Sequence, residues 1–514
     1  MHYIQGKHRE QSTLFPQSLD EIIAQDNEVR IIDLFVESIN ISDYKFAQKT
    51  SAEGRPAYDP KDLLKLFVYG YLNSIRSSRM LEKECRRNIE LMWLMKQLSP
   101  DHNTIANFRR DNHKAIRQVF RYTVSIAKQF DLIGGKLIAG DSTKLRAQNS
   151  KKKNFNENKI ERHLTYIENK LEEYNNLLEQ ADDENKKIIK AEIEKQNTRK
   201  DFYNNLTEQL NESGQTQIST SDPDSRQMIT RNNITEVAYN VQTVVDAKHC
   251  IPIDYKVTND NDSKAMATML RRTKTILQTN TFTALYDKGY HTGSEIKRAI
   301  ELGIDIMVAI PGVAACAPDD RYNFDKFIYN ENTDTYSCPE QQTLITNGNW
   351  YQKSKLRYLY FVKHYKTNAC ATCPSLAMCT KNKKGRLLER SEYQPYIEKN
   401  KQNIEANLAL YKKRQSIVEH PYGVIKRQWG FYYITTKKGI QHASADVGFM
   451  FTAYNLRRLM NIIDKTLFKK FLKELMPAFS KISIVLKAIF FKLSLQFFHY
   501  HFYKTKLNPL LNGC

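Results

Sequence analysis

Leu137-Ile138-Ala139-Gly140-Asp141-Ser142-Thr143-Lys144 opens as a short apolar run rich in branched residues and closes on a carboxylate. Such a run reads as a buried strand, so Asp141 stands where a core strand meets solvent. That position suits a metal ligand, and it equally suits the first residue of a turn. The choice depends on whether other carboxylates reach the same edge. Two further stretches supply them. Thr283-Ala284-Leu285-Tyr286-Asp287-Lys288-Gly289-Tyr290 is a second strand that ends on an acid, and the helical stretch Tyr411 to Arg427 carries a third, Glu419.

The segments around these acids complete a sheet. Tyr239 to Asp246 alternates with period two, and Ile251 to Val257 follows after a short turn, which predicts a hairpin pairing beside the Asp141 strand. A helix fits Lys264 to Leu277, a second fits Ser294 to Leu302, and a further strand fits Ile304 to Ile310. The pattern is a mixed α/β layer with acids gathered at one edge. In the third stretch, Arg414, Glu419 and Lys426 are spaced so that a helix keeps Glu419 and Lys426 on one face. Pro421 removes one backbone hydrogen bond beside Glu419 and predicts a kink there. Asp222, Asp224 and Asp246 are rival ligands, although Asp222-Pro223-Asp224 reads first as a turn.

Ahead of the sheet, Asp59-Pro60 begins a helix with a cap and a first-turn proline, and Leu63, Leu64, Phe67, Val68, Tyr71 and Leu72 continue it at helical spacing. Ser99 to Arg110 reads as a turn, a cap at Asn103 or Thr104, and a short helix carrying Arg109 and Arg110. That is the form of the second half of a helix-turn-helix. The paired arginines are candidate DNA contacts; a solvated pair on a plain helical bundle is the alternative.

The chain resembles the bacterial insertion-sequence transposases of the DDE type, whose catalytic domain is RNase H-like. Gly140-Asp141-Ser142-Thr143 and Asp287-Lys288-Gly289-Tyr290 match the two aspartate motifs of that family. Tyr411, Arg414, Glu419 and Lys426 match its Tyr-Arg-Glu-Lys signature, with four residues between Arg414 and Glu419 where the usual pattern has three. Tyr58 to Arg110 resembles the InsH-type helical N-terminal domain, and the likeness runs from residue 55 to 462. It implies that Asp141, Asp287 and Glu419 are catalytic and bind Mg²⁺ or Mn²⁺, with Lys426, Arg414 and Tyr411 on DNA phosphates. It also implies cleavage of the element's ends and joining of the 3′-OH to target DNA by two-metal-ion phosphoryl transfer. Hard carboxylate oxygens suit Mg²⁺. The implied partners are double-stranded DNA, as terminal inverted repeats and target, and a second copy of the chain, as a dimer on DNA. An RNase H-like nuclease and a decayed DNA-binding protein are the other readings.

Composition fits a nucleic-acid partner. The 514 residues carry a formal net charge of +21, and that basic excess favours a polyanion. Residues 1–48 read as a lead-in, 49–130 as the helical domain, 131–462 as the catalytic domain and 463–514 as a basic apolar tail. Two insertions interrupt the catalytic domain. Residues 151–212 form a coiled coil with a seam through Ile160, Leu164, Ile167, Leu171, Tyr174 and Leu178, which falters at Ala181 to Asn185 as an antiparallel hairpin would. Residues 312–395 hold Cys338, Cys370, Cys373 and Cys379, four thiols with a C-x₂-C pair among them; structural Zn²⁺ and buried unpaired cysteines are the two readings. Lys473, Lys481, Lys487 and Lys492 interrupt the apolar tail, so no membrane span is expected. Met1 to Gly6 show no apolar signal core, and the expected place is a reducing bacterial cytoplasm, at the nucleoid.

Overall fold

The computed structural model describes residues 17–47, 56–230, 234–279, 281–312, 317–355 and 358–476. Most of the apolar tail, Cys316 and Cys514 lie outside the described residues. The chain divides into two compact units. One draws on Met1–Phe130, Lys144–Tyr239 and Gly423–Cys514, the other on Asp131–Thr143 and Asn240–Tyr422.

The second unit is built around five strands of a six-stranded sheet, to which Arg226–Ile229 also belongs: β1 (Leu137–Arg146), β2 (Thr235–Asp246), β3 (Ile251–Thr258), β4 (Thr283–Tyr286) and β5 (Asp305–Val308). They lie in the order β3-β2-β1-β4-β5. β2 and β3 form an antiparallel hairpin with a bulge between Val244 and Val245. β1 and β4 are parallel, Leu137, Ile138 and Ala139 standing opposite Thr283, Ala284 and Leu285, and β4 and β5 are parallel in turn. Parallel neighbours need a crossover. The helix Gly293–Glu301 supplies it between β4 and β5. An antiparallel hairpin on one side of β1 and two parallel strands on the other is the RNase H-like arrangement. The fold is therefore mixed α/β, with helices flanking the sheet.

One face of this sheet is covered by the helix Leu408–Tyr422. Its Ile417 and Val418 pack with Ala139, Val245, Leu285 and Met307 in one buried cluster. Burying a side chain of this size contributes roughly 1.5–3 kcal/mol, so this contact fixes the height at which the helix crosses the strands. Pro421 lies inside the helix rather than ending it.

The insertion between β5 and that helix folds as two small three-stranded sheets. Ile328–Asn330, Thr335–Ser337 and Thr343–Leu344 form one, and Trp350–Lys355, Tyr358–Tyr365 and Leu388–Ser391 the other. Phe327, Tyr336, Leu344, Tyr365 and Leu388 make its core, with Cys338 and Cys379 packed against it.

In the first unit the helices Pro60–Leu72 and His113–Gln129 pack on Ile440–Ile462. Asp59 caps the first of these, as its position before Pro60 predicts. The charged stretch after β1 forms two helices, Glu157–Gln180 and Asp183–Ser213, packed as a hairpin. Ile160 and Ile167 meet Tyr203, Leu206 and Leu210 there, with Leu164 and Leu171 beside them. Asp182 caps the second helix at the point where the apolar seam falters.

Candidate active site

Asp141 is not at the end of its strand: β1 runs on to Arg146. The ladder to β4 stops at Ala139, however, so Asp141 lies just past the shared part of the two strands. Continued by two residues, the same register sets Asp141 opposite Asp287. Side chains alternate faces along a strand, so Asp141 follows Ala139, and Asp287 follows Leu285, on the face covered by the helix Leu408–Tyr422. On the other face Gly140 leaves room for the Tyr286 ring; a Cβ there would sit 2.1 Å from it. The small residue before the acid is what lets the Tyr286 ring lie over β1.

The covering helix reaches Asp141 twice. Arg414 Nη1 stands 3.4 Å from Asp141 Oδ2, and the Tyr422 hydroxyl donates to the Asp141 carbonyl at 3.3 Å. Tyr411, half-buried, donates its hydroxyl to the Tyr286 carbonyl at 3.1 Å. Glu419 rides on the same helix, between the two residues that touch Asp141. Its carboxylate is exposed and accepts from Gln415 Nε2 at 2.9 Å. Lys426 belongs to the first unit, where its amine donates to the Lys144 carbonyl at 3.4 Å.

Asp287 caps the turn Lys288–Tyr290, accepting from the Gly289 amide at 2.7 Å. A third acid, Asp262, stands beside it. A Cβ on Gly289 would lie 3.0 Å from Asp287 Oδ1 and 3.6 Å from Asp262 Oδ2. Asp262 Oδ1 accepts from Asn240 Nδ2 at 2.8 Å and from Gln242 Nε2 at 2.7 Å, and the Tyr290 hydroxyl in turn donates to Gln242 at 2.5 Å. Both amides lie on β2, so the sheet itself positions this carboxylate.

Electrostatics follow from that crowding. Burial pushes the Asp141 carboxyl up to about 6; the Asp287 and Asp262 charges add to the rise, while the Ser142 amide and Arg414 oppose it. Like charges pressed together disfavour one another's ionised form, and a bound cation would relieve that repulsion. Oxygen donors in a site of that kind fit a hard divalent cation. Among the described residues, no three His, Cys, Asp or Glu side chains are already arranged as a ligand set.

The other candidates are otherwise engaged. Arg109 is 5% exposed and donates to the Tyr71 hydroxyl at 2.9 Å and the Arg76 carbonyl at 3.0 Å. It is a core residue, which removes it from the DNA-contact pair. Arg110 remains at the surface, paired with Asp111 at 2.6 Å. Asp101, not Asn103 or Thr104, caps that helix. Asp222 accepts from Tyr239 and from the Gly439 amide, Asp224 caps the chain at Ile440, and Asp246 takes the amides of Gly134, Gly135 and Lys248. All three are structural.

Two family models match the chain. A Transposase domain (DUF772) covers residues 17–111, and a Transposase DDE domain covers residues 337–460. Both matches support reading the chain as an insertion-sequence transposase of the DDE type. The second match takes in Arg414, Glu419 and Lys426 but neither aspartate of the sheet. A solved piggyBac transposase synaptic complex with hairpin DNA aligns over 89% of this chain and 82% of that chain, at 9% identity and a TM-score of 0.25, a likeness too slight to carry weight. No curated protein matches. Among the described residues no helix is long and apolar enough to cross a membrane.

Asp262 and Tyr422 do not stand out in the sequence, for different reasons. Asp262 follows Asn259-Asp260-Asn261, which reads as a polar turn, and nothing local separates it from Asp260. Tyr422 sits next to Pro421, whose predicted kink would turn the chain away.

Proposed function

We propose that this transposase cleaves the ends of its element and joins the freed 3′-OH to target DNA at one site, with Asp141, Asp287 and Glu419 holding divalent metal ions. The observation that supports the reading is the register of β1 against β4, which, continued by two residues, would bring Asp141 opposite Asp287 beneath the helix that bears Glu419. When bound, Mg²⁺ or Mn²⁺ would supply a Lewis acid for the attacking and leaving oxygens of an in-line displacement. The residues of the chain then divide the remaining work. Asp141 is ionised above its raised value, and it and Asp287 present hard oxygens. Arg414, already beside Asp141, offers its other guanidinium donors to a phosphate oxygen. Lys426 and Tyr411 are the further phosphate contacts of the signature, and Arg110 is a surface cation for duplex DNA. Double-stranded DNA is the partner to which the basic excess is suited, and a dimer on that DNA is the working form, in a bacterial cytoplasm.

The test uses a labelled terminal-repeat duplex in Mg²⁺. Cleavage, followed by strand transfer of a pre-cut end, is the expected result. Hydrolysis without transfer would reassign the chain as a nuclease, and DNA binding without cleavage would mark a decayed enzyme.

A further inference from the structure

A second cluster of ligating side chains lies wholly inside the insertion between β5 and the helix Leu408–Tyr422, and the transposition reading makes no use of it. Cys338 stands far ahead of Cys370, Cys373 and Cys379 in sequence, yet all four line one cavity of about 20 Å³. A volume of that order admits a single water-sized body. All four are free thiols of intermediate exposure. We propose that these four cysteines bind one structural Zn²⁺ that staples the two small sheets of the insertion together.

Each thiol is brought there by a different local device. Cys338 ends the strand Thr335–Ser337 in a tight turn whose Gln341 has a positive φ of 57°. That turn aims the Gln342 amide at Cys338 Sγ, at 3.2 Å. An amide aimed at a sulfur fixes its orientation, as outer-shell partners of metal ligands do. Cys370 lies within the single helical turn Asn368–Thr372 and Cys373 caps its end, with the Cys373 amide 3.4 Å from the Cys370 carbonyl, and this keeps the C-x₂-C pair together. Cys379 closes the short helix Leu376–Cys379.

Gly385 supplies an independent sign that the room around the thiols is kept. Its φ of 99° lies in the region that favours glycine, and a Cβ there would stand 2.5 Å from Cys370 Cβ and 3.3 Å from its sulfur. The backbone is thus folded tightly over one thiol. The hydrophobic core of the insertion is also small for the number of strands it must hold. Five buried residues, Phe327, Tyr336, Leu344, Tyr365 and Leu388, form it, and domains with little core depend on metals or cross-links.

Four thiols select a soft or borderline ion in tetrahedral geometry, which points to Zn²⁺; Glu340, also on the cavity wall, is taken up by the Tyr322 and Ser375 hydroxyls. Among the described residues the thiols do not stand as a closed ligand set. Zinc–sulfur bonds of about 2.3 Å would require the four sulfurs to close on the cavity. Binding releases thiol protons and changes no oxidation state.

The experiment is metal analysis of the full-length chain purified without chelator, together with Cys373→Ser, Cys338→Ser and the control Cys85→Ala. The expected result is about one zinc per wild-type and control chain, and loss of it in the two serine variants, where zinc sites lacking a thiolate bind far more weakly. If the serine variants fail to fold, wild-type protein reconstituted with Co²⁺ decides: the visible bands of a tetrahedral cobalt–thiolate centre support the site. Zinc-free folded protein, full zinc in either serine variant, iron in place of zinc, or no such cobalt bands would each overturn it. None of these readouts depends on DNA cleavage.

Discussion

Each unit of the molecule encloses a carboxylate, and the two are treated in opposite ways. In the first, Asp446 is fully buried and fully satisfied. It accepts from the Tyr71 hydroxyl and from the Thr435 amide at 2.6 Å, and it has Arg76 at 3.6 Å and Arg109 at 3.8 Å. In the second, Asp141 is crowded by the like charges of Asp287 and Asp262 and has one guanidinium contact at 3.4 Å. A buried ion that is paired and hydrogen-bonded serves the fold. One crowded by like charges is where we propose that a divalent cation binds. Arg109 sharpens the same contrast, since a sequence-level candidate for DNA contact is spent on closing the Asp446 network.

Substitutions can break or sharpen this difference. The largest effect is expected for Asp141→Asn, which should lower Mg²⁺-dependent cleavage by about 10³-fold or more, as loss of a principal charge-stabilising group does. The same change at the satisfied acid should act on folding instead. Asp446→Ala leaves Arg76 and Arg109 buried without their carboxylate and is expected to cost about 3–5 kcal/mol in denaturant unfolding. Arg109→Ala should cost about 3 kcal/mol for the converse reason, whereas Arg110→Ala should stay within about 0.5 kcal/mol and be felt only in DNA affinity.

A smaller effect follows from acidity. Because the Asp141 carboxyl is raised to about 6 from 3.8, the fold favours its protonated form. Its contribution to stability is then complete below about pH 4 and is lost as pH rises through about 6. Without divalent ions, Asp141→Asn is accordingly expected to melt higher than wild type at neutral pH, with the gap narrowing below about pH 6 and closing toward about pH 4 in thermal scans. Metal affinity should move the other way, falling below pH 6 as protons compete for the ligand. Smallest of all, Asp262→Asn should weaken Mn²⁺ binding a few-fold in calorimetry, because it removes one nearby charge and leaves Asp141 and Asp287 in place.

Much of this is legible in the sequence. The period-two runs of β2 and β3 and the apolar cores of β1 and β4 are local signals, and the strands lie where those signals put them. The Asp59 cap and the faltering seam at residues 181–185 are equally local, and both mark observed helix boundaries. The register of Asp141 against Asp287 is not local, because it depends on how far β4 runs beside β1. Asp262 is hidden for the same reason: Asn240 and Gln242 hold it from a strand about twenty residues away in sequence. Arg109 misleads because a cation at the end of an amphipathic helix looks solvent-facing until its buried acid, 337 residues later, is known. Glu419 is on the helix the signature assigns it to, and its carboxylate is turned to Gln415 rather than to the aspartates.

The most direct test of the carboxylate site is cleavage of a labelled duplex carrying the element's own end by wild type and Asp141→Asn, in Mg²⁺, with DNA binding followed in parallel. The expected outcome is cleavage by wild type alone, with both proteins binding the duplex to the same extent. Cleavage that persists in Asp141→Asn would contradict the assignment of this edge of the sheet as the catalytic centre.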